Sequence, residues 1–330
     1  MNDGPGGPTS GDGSPDGGDA EPGDGRADAD SLSRFLLQGA PVRGEIISLD
    51  SAWQQVVQRH DLPVCVRDCL GQLSAAALLL AASLKFDGML VLQIHGDGPV
   101  ALMVVECDAA GHFRATVKIR EGAVVDDQAS LVQLVHASGQ GRFVVTLDPR
   151  TRTPTRQPYQ GIVPFEGDSV AQVLEHYMNR SEQVPTRLWL AADEHRAAGL
   201  LLQRLPDQGG SAAQATDADG WNRMCQLADT IDPLELVSLS SADMLHRLFW
   251  QEPLHAFDRR RCGFACSCSR DKVAAMLRML GREEVESILV ERETVEVNCD
   301  FCNLAYRFDA VDAAGLFLPG ADHPPPTQPQ

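Results

Sequence analysis

Four cysteines near the C-terminal end of the chain form two close pairs. Cys266 and Cys268 form a CxC motif, and Cys299 and Cys302 form a CxxC motif about 30 residues later. Zinc favours thiolate ligands, and each close pair offers two sulfurs to one metal ion. The spacing therefore predicts one tetrahedral zinc site with Cys266, Cys268, Cys299 and Cys302 as its ligands.

The CxC pair is the less common arrangement, because one intervening residue leaves little slack for both sulfurs to reach a metal. A disulfide between Cys266 and Cys268 would close a very small ring with unfavourable geometry, so it would be easily reduced again. The motif therefore has two interpretations. The cysteines form either a structural zinc knuckle that holds a small domain together or a reversible redox switch.

Basic residues flank the first cysteine pair in the sequence. A positive field favours the thiolate over the thiol and therefore favours reaction with oxidants. The opposing interpretation is that the arginines form a solvated surface run and that zinc-bound thiolates are protected. The basic residues are Arg259, Arg260 and Arg261, which lead into Cys262, and Arg270 and Lys272 after the pair.

The composition excludes some classes of protein. Acidic residues outnumber basic ones by 46 to 28 and the net charge is −18, whereas a nucleic-acid-binding protein needs clustered Lys and Arg. The 330 residues, 43% of them apolar, predict two or three folded domains. There is no secretory signal pattern, so the nine cysteines are predicted to be cytoplasmic thiols rather than a secreted disulfide framework.

Both ends of the chain are predicted to be disordered. Residues 1–30 contain nine Gly, four Pro and seven Asp, which bury too little surface to offset the entropy of ordering. This acidic tail carries a large share of the net charge. The segment 319–330 is rich in Pro and is predicted to be disordered as well.

Residues 31–206 show the pattern of an α+β domain, in which helices pack on a mostly antiparallel sheet. The apolar run 73–84 is too short to span a bilayer and indicates a helix buried in the core rather than a membrane segment. The predicted strands are 89–95, 101–107, 113–119, 142–147, 160–165 and 186–191, and the predicted helices are 51–60, a segment within 62–86, and 169–179 with Asp168 as its cap.

Residues 207–254 are predicted to form a polar loop followed by a linker of two short amphipathic helices. Two such helices cannot form a core of their own, so their apolar stripes must lie on another surface. The linker is either a spacer docked permanently on the sheet domain or a cover that can detach and bind unfolded proteins. The stripe residues are Trp221, Met224, Leu227, Ile231, Met244, Leu245, Leu248 and Phe249.

Residues 255–318 are predicted to form a small zinc-binding domain. Helices are expected at 271–280 and 283–289, and strands at 294–297 and around Tyr306 and Phe308. So small a domain has too little apolar content to be stable alone, and a structural zinc ion can supply on the order of 10 kcal/mol of folding energy. Loss of zinc is therefore expected to unfold it.

Two other functions use similar cysteine motifs. A thiol-disulfide oxidoreductase needs an open CxxC at the N terminus of a helix, but Cys299 follows a predicted strand. A plain zinc ribbon that binds nucleic acid needs a basic face. The sequence also has no GxGxxG, Walker A or GxSxG motif, and its histidines lack metal-ligand spacing, so an enzyme is not predicted.

The region 31–318 closely resembles the 33-kDa redox-regulated heat-shock chaperone family (heat-shock protein 33), whose members are cytosolic holdases. The resemblance rests on six segments taken together. They are CSC at 266–268, CDFC at 299–302, LKFDG at 84–88, HGDGPV at 95–100, YQGIV at 159–163 and NRSEQVPTR at 179–187.

The resemblance implies an α+β domain, a helical linker and a C-terminal redox switch. It implies that the four cysteines bind zinc in a reduced, inactive monomer. On oxidation it implies disulfides between Cys266 and Cys268 and between Cys299 and Cys302, zinc release and a homodimer that binds unfolding proteins without ATP. The acidic tail and the extra Cys262 depart from the family pattern. Cys262 could form a wrong disulfide or replace a ligand, which leaves the disulfide pairing open.

Overall fold

The computed structural model describes residues 29–84, 86–151, 153, 157–206 and 217–318. The two predicted tails and the polar loop after Pro206 lie largely outside these residues. Asp30, which the sequence analysis assigned to the first tail, lies within them. Its carboxylate accepts hydrogen bonds from the backbone N–H groups of Asp50 and Ala52, at 2.8 and 2.9 Å, at the start of the first helix.

The N-terminal part of the chain is α+β, as predicted. In chain order its elements are β1 (Ser31–Leu37), β2 (Val42–Leu49), α1 (Ser51–Val57), α2 (Val64–Ser83), β3 (Gly88–His95), β4 (Val100–Asp108), β5 (His112–Ile119), α3 (Leu131–Val135), β6 (Arg142–Pro149), β7 (Tyr159–Val163), α4 (Val170–Arg180), β8 (Thr186–Ala192) and β9 (Ala197–Arg204). The cap of α4 is Ser169, whose hydroxyl accepts from the N–H of Gln172 at 3.3 Å, so the predicted cap Asp168 was wrong.

These strands form two antiparallel sheets instead of the single sheet expected. Sheet 1 has the order β1-β2-β9-β8, and sheet 2 has the order β5-β4-β3-β6-β7. Strands β1, β2 and β9 were not predicted. Nearly every residue of β2 and β9 is buried, because sheet 1 is covered on both faces, and such strands lack the alternation that identifies a half-exposed strand.

Helix α2 lies between the two sheets and packs against strands of both. It is long and apolar enough to cross a membrane by length and composition, but 67% of that segment is buried inside the protein. The helix approaches sheet 1 closely at Gly71, where a Cβ atom would lie 2.5 Å from the Cβ of Ala192. The predicted buried core helix is therefore confirmed.

The described part of the linker, residues 217–254, contains three helices, not two: α5 (Gly220–Ala228), α6 (Pro233–Ser238) and α7 (Ser241–Phe249). Helix α6 has only six residues, and Pro233, which suggests a break, is instead its first residue after the cap Asp232. The three helices cover the outer face of sheet 1 with an apolar contact. The buried residues of this contact are Phe35, Leu37, Val42, Ile46, Ala191, Ala198, Leu200 and Leu202 from the sheet and Met224, Cys225, Ala228, Leu236, Met244, Leu248 and Phe249 from the linker.

The chain after α7 adds short strands to both sheets. Strands β10 (Leu254–Ala256) and β11 (Arg260–Arg261) pair with β1, and β12 (Gly263–Phe264) pairs in parallel with β5. The sequence pattern places this segment in the zinc-binding domain, but its strands pair with the N-terminal sheets. The first cysteine pair follows immediately, so its position is fixed relative to sheet 2.

The C-terminal module follows with α8 (Arg270–Leu280), α9 (Arg282–Arg292), β13 (Val295–Asn298), β14 (Ala305–Phe308) and α10 (Ala310–Leu316). Helix α10 was not predicted. The two strands form a hairpin, and the small core between helices and hairpin is separate from the rest of the protein. Its buried residues are Ala274, Leu277, Val285, Val295, Phe308, Ala313 and Leu316.

A buried carboxyl group provides a test of this fold. Glu45 on β2 is 2% exposed, and its Oε2 atom has no hydrogen-bond partner among the residues that the structure describes. Burial raises the pKa of Glu45 from 4.5 to about 7, although Arg43, Arg34 and Arg260 lower it. Between these two pH values the unfolded chain has released the proton and the folded chain keeps it, so the contribution of Glu45 to stability falls as the pH rises.

We therefore expect Glu45→Gln to raise the free energy of unfolding at pH 8, relative to wild type, by up to about 3 kcal/mol and to change it little at pH 4. Urea unfolding of both proteins at the two pH values measures the effect. Glu121→Gln, at an exposed position, is the matched control. An equal effect of Glu45→Gln at pH 4 and pH 8 would contradict the assignment.

Candidate metal centre

The structure brings the four predicted cysteines together. Their Sγ atoms all lie within 4.8 Å of one another. The sulfurs of Cys266 and Cys299 are 3.7 Å apart, and those of Cys268 and Cys302 are 3.3 Å apart. The first pair lies between β12 and α8, and the second lies in the turn of the β13–β14 hairpin.

Local structure explains why each pair presents two sulfurs on one side. The second pair lies in a tight turn in which the N–H of Asn303 donates to the carbonyl of Cys299 at 2.8 Å, and Asn303 has a left-handed φ of 59°. Ser269 directly follows the first pair. Its hydroxyl caps α8 by accepting a hydrogen bond from the N–H of Lys272 at 3.2 Å. A helix N terminus favours a thiolate beside it.

The four sulfurs fit a zinc ion. Zinc–sulfur bonds are about 2.3 Å long, which places two sulfurs of a tetrahedral site about 3.8 Å apart. The Cys266–Cys299 separation of 3.7 Å is near this value, and the Cys268–Cys302 separation of 3.3 Å is somewhat shorter. The donor set is also soft, since no His, Asp or Glu joins the cluster within the described part of the chain. Four thiolates are ligands that zinc prefers over hard cations such as magnesium.

The thiols differ in acidity. Burial raises the pKa of Cys266, but hydrogen bonds from the backbone of Cys268 and from the neighbouring thiols outweigh it and lower this pKa to about 7. Burial, together with hydrogen bonds to Cys268 and Cys266, raises the pKa of Cys302 to about 12. Of these two sulfurs, Cys266 therefore ionises more readily than Cys302.

Two side chains that sequence reasoning missed donate to the cluster. The hydroxyl of Tyr306 on β14 lies 3.1 Å from the sulfur of Cys268. The guanidinium of Arg114 on β5 lies 3.8 Å from the sulfur of Cys266. Tyr306 could have been suspected from its position just after the CxxC turn. Arg114 is 152 residues from Cys266, and no local pattern links the two.

The flanking basic residues play a smaller part than expected. Lys272 donates to the carbonyl of Ser267 within the CxC loop. Arg260 instead donates to the carbonyl of Ala109 at 2.6 Å, in the turn between β4 and β5. Arg270 lies over the ring of Phe308, at 4.1 Å. Arg114, which is far from the cysteines in sequence, is instead the arginine that contacts the sulfur of Cys266.

Cys262 lies outside the cluster. It is 8% exposed, belongs to the core around α2, and burial raises its pKa to about 11. Cys69, Cys107 and Cys225 are also buried, whereas Cys65 is half-buried. The geometry thus favours the four predicted ligands over any set that includes Cys262.

The apolar stripes of the linker helices pack together on the face of sheet 1 that is opposite α2. Phe249 packs against Phe35 with ring centroids 6.0 Å apart. Asp229, at the end of α5, accepts hydrogen bonds from Arg187 at 2.6 Å and from Trp189 at 3.2 Å, both on β8. Of the eight stripe residues, Met224, Met244, Leu248 and Phe249 are buried, and Trp221, Leu227, Ile231 and Leu245 are half-buried.

Comparisons with known proteins agree with this architecture. The family model described as Hsp33 protein matches residues 30–309. A 33 kDa chaperonin of Methylobacillus flagellatus is 48% identical over 303 residues, covering 89% of this chain and 98% of the relative. A 33 kDa chaperonin of Chromobacterium violaceum is 48% identical over 288 residues, covering 87% of this chain and 94% of the relative.

A solved structure shows the same fold. The crystal structure of the 33 kDa chaperonin of Thermotoga maritima superimposes with a TM-score of 0.70 over 87% of this chain and 97% of that chain, at 20% identity. The predicted α+β architecture and the resemblance drawn from the sequence are confirmed. On the family match over most of its length and the 48% identity to named relatives, the chain belongs to the Hsp33 family of chaperones.

Proposed function

We propose that this chaperone is an ATP-independent holdase that is inactive when reduced and is switched on by oxidation. The main support for this proposal is that the cysteine cluster and the linker helices are close along the chain. A cluster of four cysteines and a helical cover over an apolar sheet face belong to neighbouring segments of the chain. A change at the cysteines can therefore reach the cover.

In the reduced protein, Cys266, Cys268, Cys299 and Cys302 would hold one zinc ion. When bound, the ion cross-links the two cysteine loops and keeps the sulfurs as thiolates. The core of the C-terminal module consists of seven buried apolar residues, few for a module of two strands and three helices. This module, at about 266–318, would therefore depend on the metal for its stability.

Oxidation by a peroxide would join the sulfurs within each close pair, Cys266 to Cys268 and Cys299 to Cys302. For each disulfide, two thiolates give two electrons to one molecule of hydrogen peroxide, its O–O bond breaks, and with two protons from the solvent it leaves as two water molecules. Disulfide sulfurs no longer carry the thiolate charge that binds zinc, so the ion would leave. The module would then unfold.

The linker would respond because its helices are short. Helices of six to nine residues have little intrinsic stability and stay folded only while neighbouring structure holds them. Once they detach, their apolar stripes and the covered face of sheet 1 would form a surface for unfolded proteins. Met and Leu side chains adapt to varied partners. The proposed client-binding residues are Trp221, Met224, Leu227, Ile231, Met244, Leu245, Leu248 and Phe249.

The remaining parts of the proposal follow the family expectation. The protein would act in the cytoplasm, as a monomer when reduced and a homodimer when oxidised, and would have no enzymatic activity. A thiol-disulfide oxidoreductase fits less well, because Cys299 directly follows strand β13 and does not begin a helix. Acid-rich composition likewise disfavours a nucleic-acid ligand.

Metal content tests the ligand assignment. We expect the reduced protein to hold one zinc ion per chain, and Cys266→Ser to lose most of it because three thiolates remain. Cys262→Ser is the matched control and is expected to retain zinc, since Cys262 is buried in the N-terminal core. Atomic emission analysis of the purified proteins gives the answer. Loss of zinc from Cys262→Ser with retention in Cys266→Ser would reverse the assignment.

Peroxide treatment tests the switch. We expect zinc to appear in a chromogenic chelator assay in step with the loss of free thiols. The oxidised protein, but not the reduced one, is expected to suppress light scattering by a chemically unfolded test protein. Equal suppression by both forms, or retention of zinc after complete oxidation, would be evidence against the mechanism.

Neighbouring aromatic residues test the role of the linker. Phe249 is 2% exposed on sheet 1, whereas Trp250 is 67% exposed. Phe249→Ala removes a buried ring at a cost of about 3–5 kcal/mol to docking, so the reduced variant should be partly active and its linker sensitive to protease. Trp250→Ala should behave as wild type. An inactive Phe249→Ala protein that exposes its linker to protease would show that clients bind elsewhere.

A further inference from the structure

One face of strand β5 carries three polar side chains that touch the cysteine loops. Side chains alternate between the two faces of a strand, so Arg114, Thr116 and Lys118 point the same way, out of the core. This outer face of β5 belongs to the N-terminal part of the protein and is about 150 residues from the first cysteine pair in sequence. The alternating residues buried in the core are Phe113, Ala115 and Val117.

Arg114 contacts both cysteine loops with one guanidinium group. Its Nη1 lies 3.1 Å from the hydroxyl of Ser267 and 3.8 Å from the sulfur of Cys266. Its Cζ lies 4.1 Å from the ring centroid of Phe301, between the second pair of cysteines. Nε and Nη2 donate to Oε2 of Glu106 on β4, at 2.8 and 2.7 Å, which fixes the orientation of the group.

Thr116 and Lys118 hold the residue before Phe301. The hydroxyl of Thr116 donates to the carbonyl of Asp300 at 2.8 Å. Lys118 forms an ion pair with the carboxylate of Asp300 at 3.0 Å. Asp300 and Phe301 are the two residues inside the CxxC motif, so both intervening positions of that motif are bound to β5.

We infer that the outer face of β5 is a docking surface for the metal centre and that Arg114 is a positioning residue that slows the loss of zinc on oxidation. This inference rests on the proposed function, because it concerns the same four cysteines. It adds a direct contact between the cysteines and sheet 2, in addition to the path through the linker.

The charges explain why docking depends on the state of the cysteines. Four thiolates around one divalent cation keep a net negative charge, which Arg114 and Lys118 complement. Bound zinc would already keep Cys266 as a thiolate, so a hydrogen bond from Arg114 creates no additional thiolate; it draws electron density from the sulfur and reduces its nucleophilicity towards an oxidant. A disulfide sulfur is neutral and a weaker acceptor. Oxidation of the pair, with its two electrons passing to peroxide, therefore removes the interaction that holds the loop.

Linkage makes this coupling reciprocal. If docking on β5 stabilises the metal-loaded loops, then loss of the metal weakens docking by the same factor. The outer face of β5 would become accessible when the module unfolds. Glu106 would keep Arg114 in place, ready to bind the loops again after reduction.

The experiment compares zinc release from full-length, reduced, zinc-loaded variants under excess peroxide, followed with a chromogenic chelator. Arg114→Met keeps the side-chain length and loses the charge and hydrogen bonds, and it should release zinc about tenfold faster than wild type. Arg114→Lys keeps the charge but loses the planar guanidinium group and its several donors. Its rate of zinc release should lie between those of wild type and Arg114→Met. Arg282→Met removes another arginine that packs on an aromatic ring of the module, and it should match wild type.

Thr116→Val provides a second, nearly isosteric variant in case Arg114→Met folds poorly. It removes only the hydrogen bond to Asp300 and should also accelerate release, by a smaller factor. Amide hydrogen exchange of residues 299–304 in the reduced proteins reports docking without any oxidant. Exchange there should be faster in Arg114→Met and Thr116→Val than in wild type, and unchanged in Arg282→Met.

Two results would overturn the inference. One is normal zinc content with wild-type release rates and exchange in both Arg114→Met and Thr116→Val. The other is equal acceleration in Arg282→Met, which would indicate a general loss of module stability. These results leave the proposed function intact, since it fails only if the wild-type protein binds no zinc or is not activated by oxidation.

Discussion

The contact between the linker and the outer face of sheet 1 is the interaction on which the rest of the structure depends. Sheet 1 is apolar on both faces, and α2 covers only one of them. The other face must be covered by something, and the chain provides three helices of six to nine residues. Helices of this length gain their stability from the sheet, so the cover and the covered face stabilise each other.

This arrangement combines a buried apolar contact with a cover of individually short helices. Burying apolar surface is favourable in proportion to its area, which keeps the cover closed in the folded protein. Polar contacts such as those of Asp229 with Arg187 and Trp189 on β8 add to this apolar contact. Under the proposed function, the short helices would let a modest loss of support from the neighbouring segment shift the equilibrium towards a detached linker.

The neighbouring segment ties the cover to the cysteines. After α7 the chain adds β10 and β11 to sheet 1 and β12 to sheet 2, and it then reaches Cys266 within two residues. The C-terminal module lies against sheet 2 through β5. The cysteine cluster is thus in contact with one sheet and linked by a short chain to the cover of the other. Under the proposed function, a small module with a small core would in this way influence a much larger domain.

The sequence by itself determined the elements whose signals are local. The two close cysteine pairs identified the four candidate metal ligands, because the two cysteines of each pair lie in the same loop. Helical periodicity identified the apolar stripes of α5 and α7, and the motifs identified the family. Helix α6 was missed because it is only six residues long, and β2 and β9 were missed because burial on both faces removes their alternation.

Only the tertiary structure decided which distant residues meet the cysteines. The residues next to Cys266 in sequence suggested a positive field from Arg259 to Arg261, but Arg260 binds the turn after β4 and Arg114 reaches the sulfur. Such a contact depends on the register of β5, on the parallel pairing of β12 with it and on the position of the hairpin turn. No pattern within a single segment contains this information, because it arises from how separate segments pack.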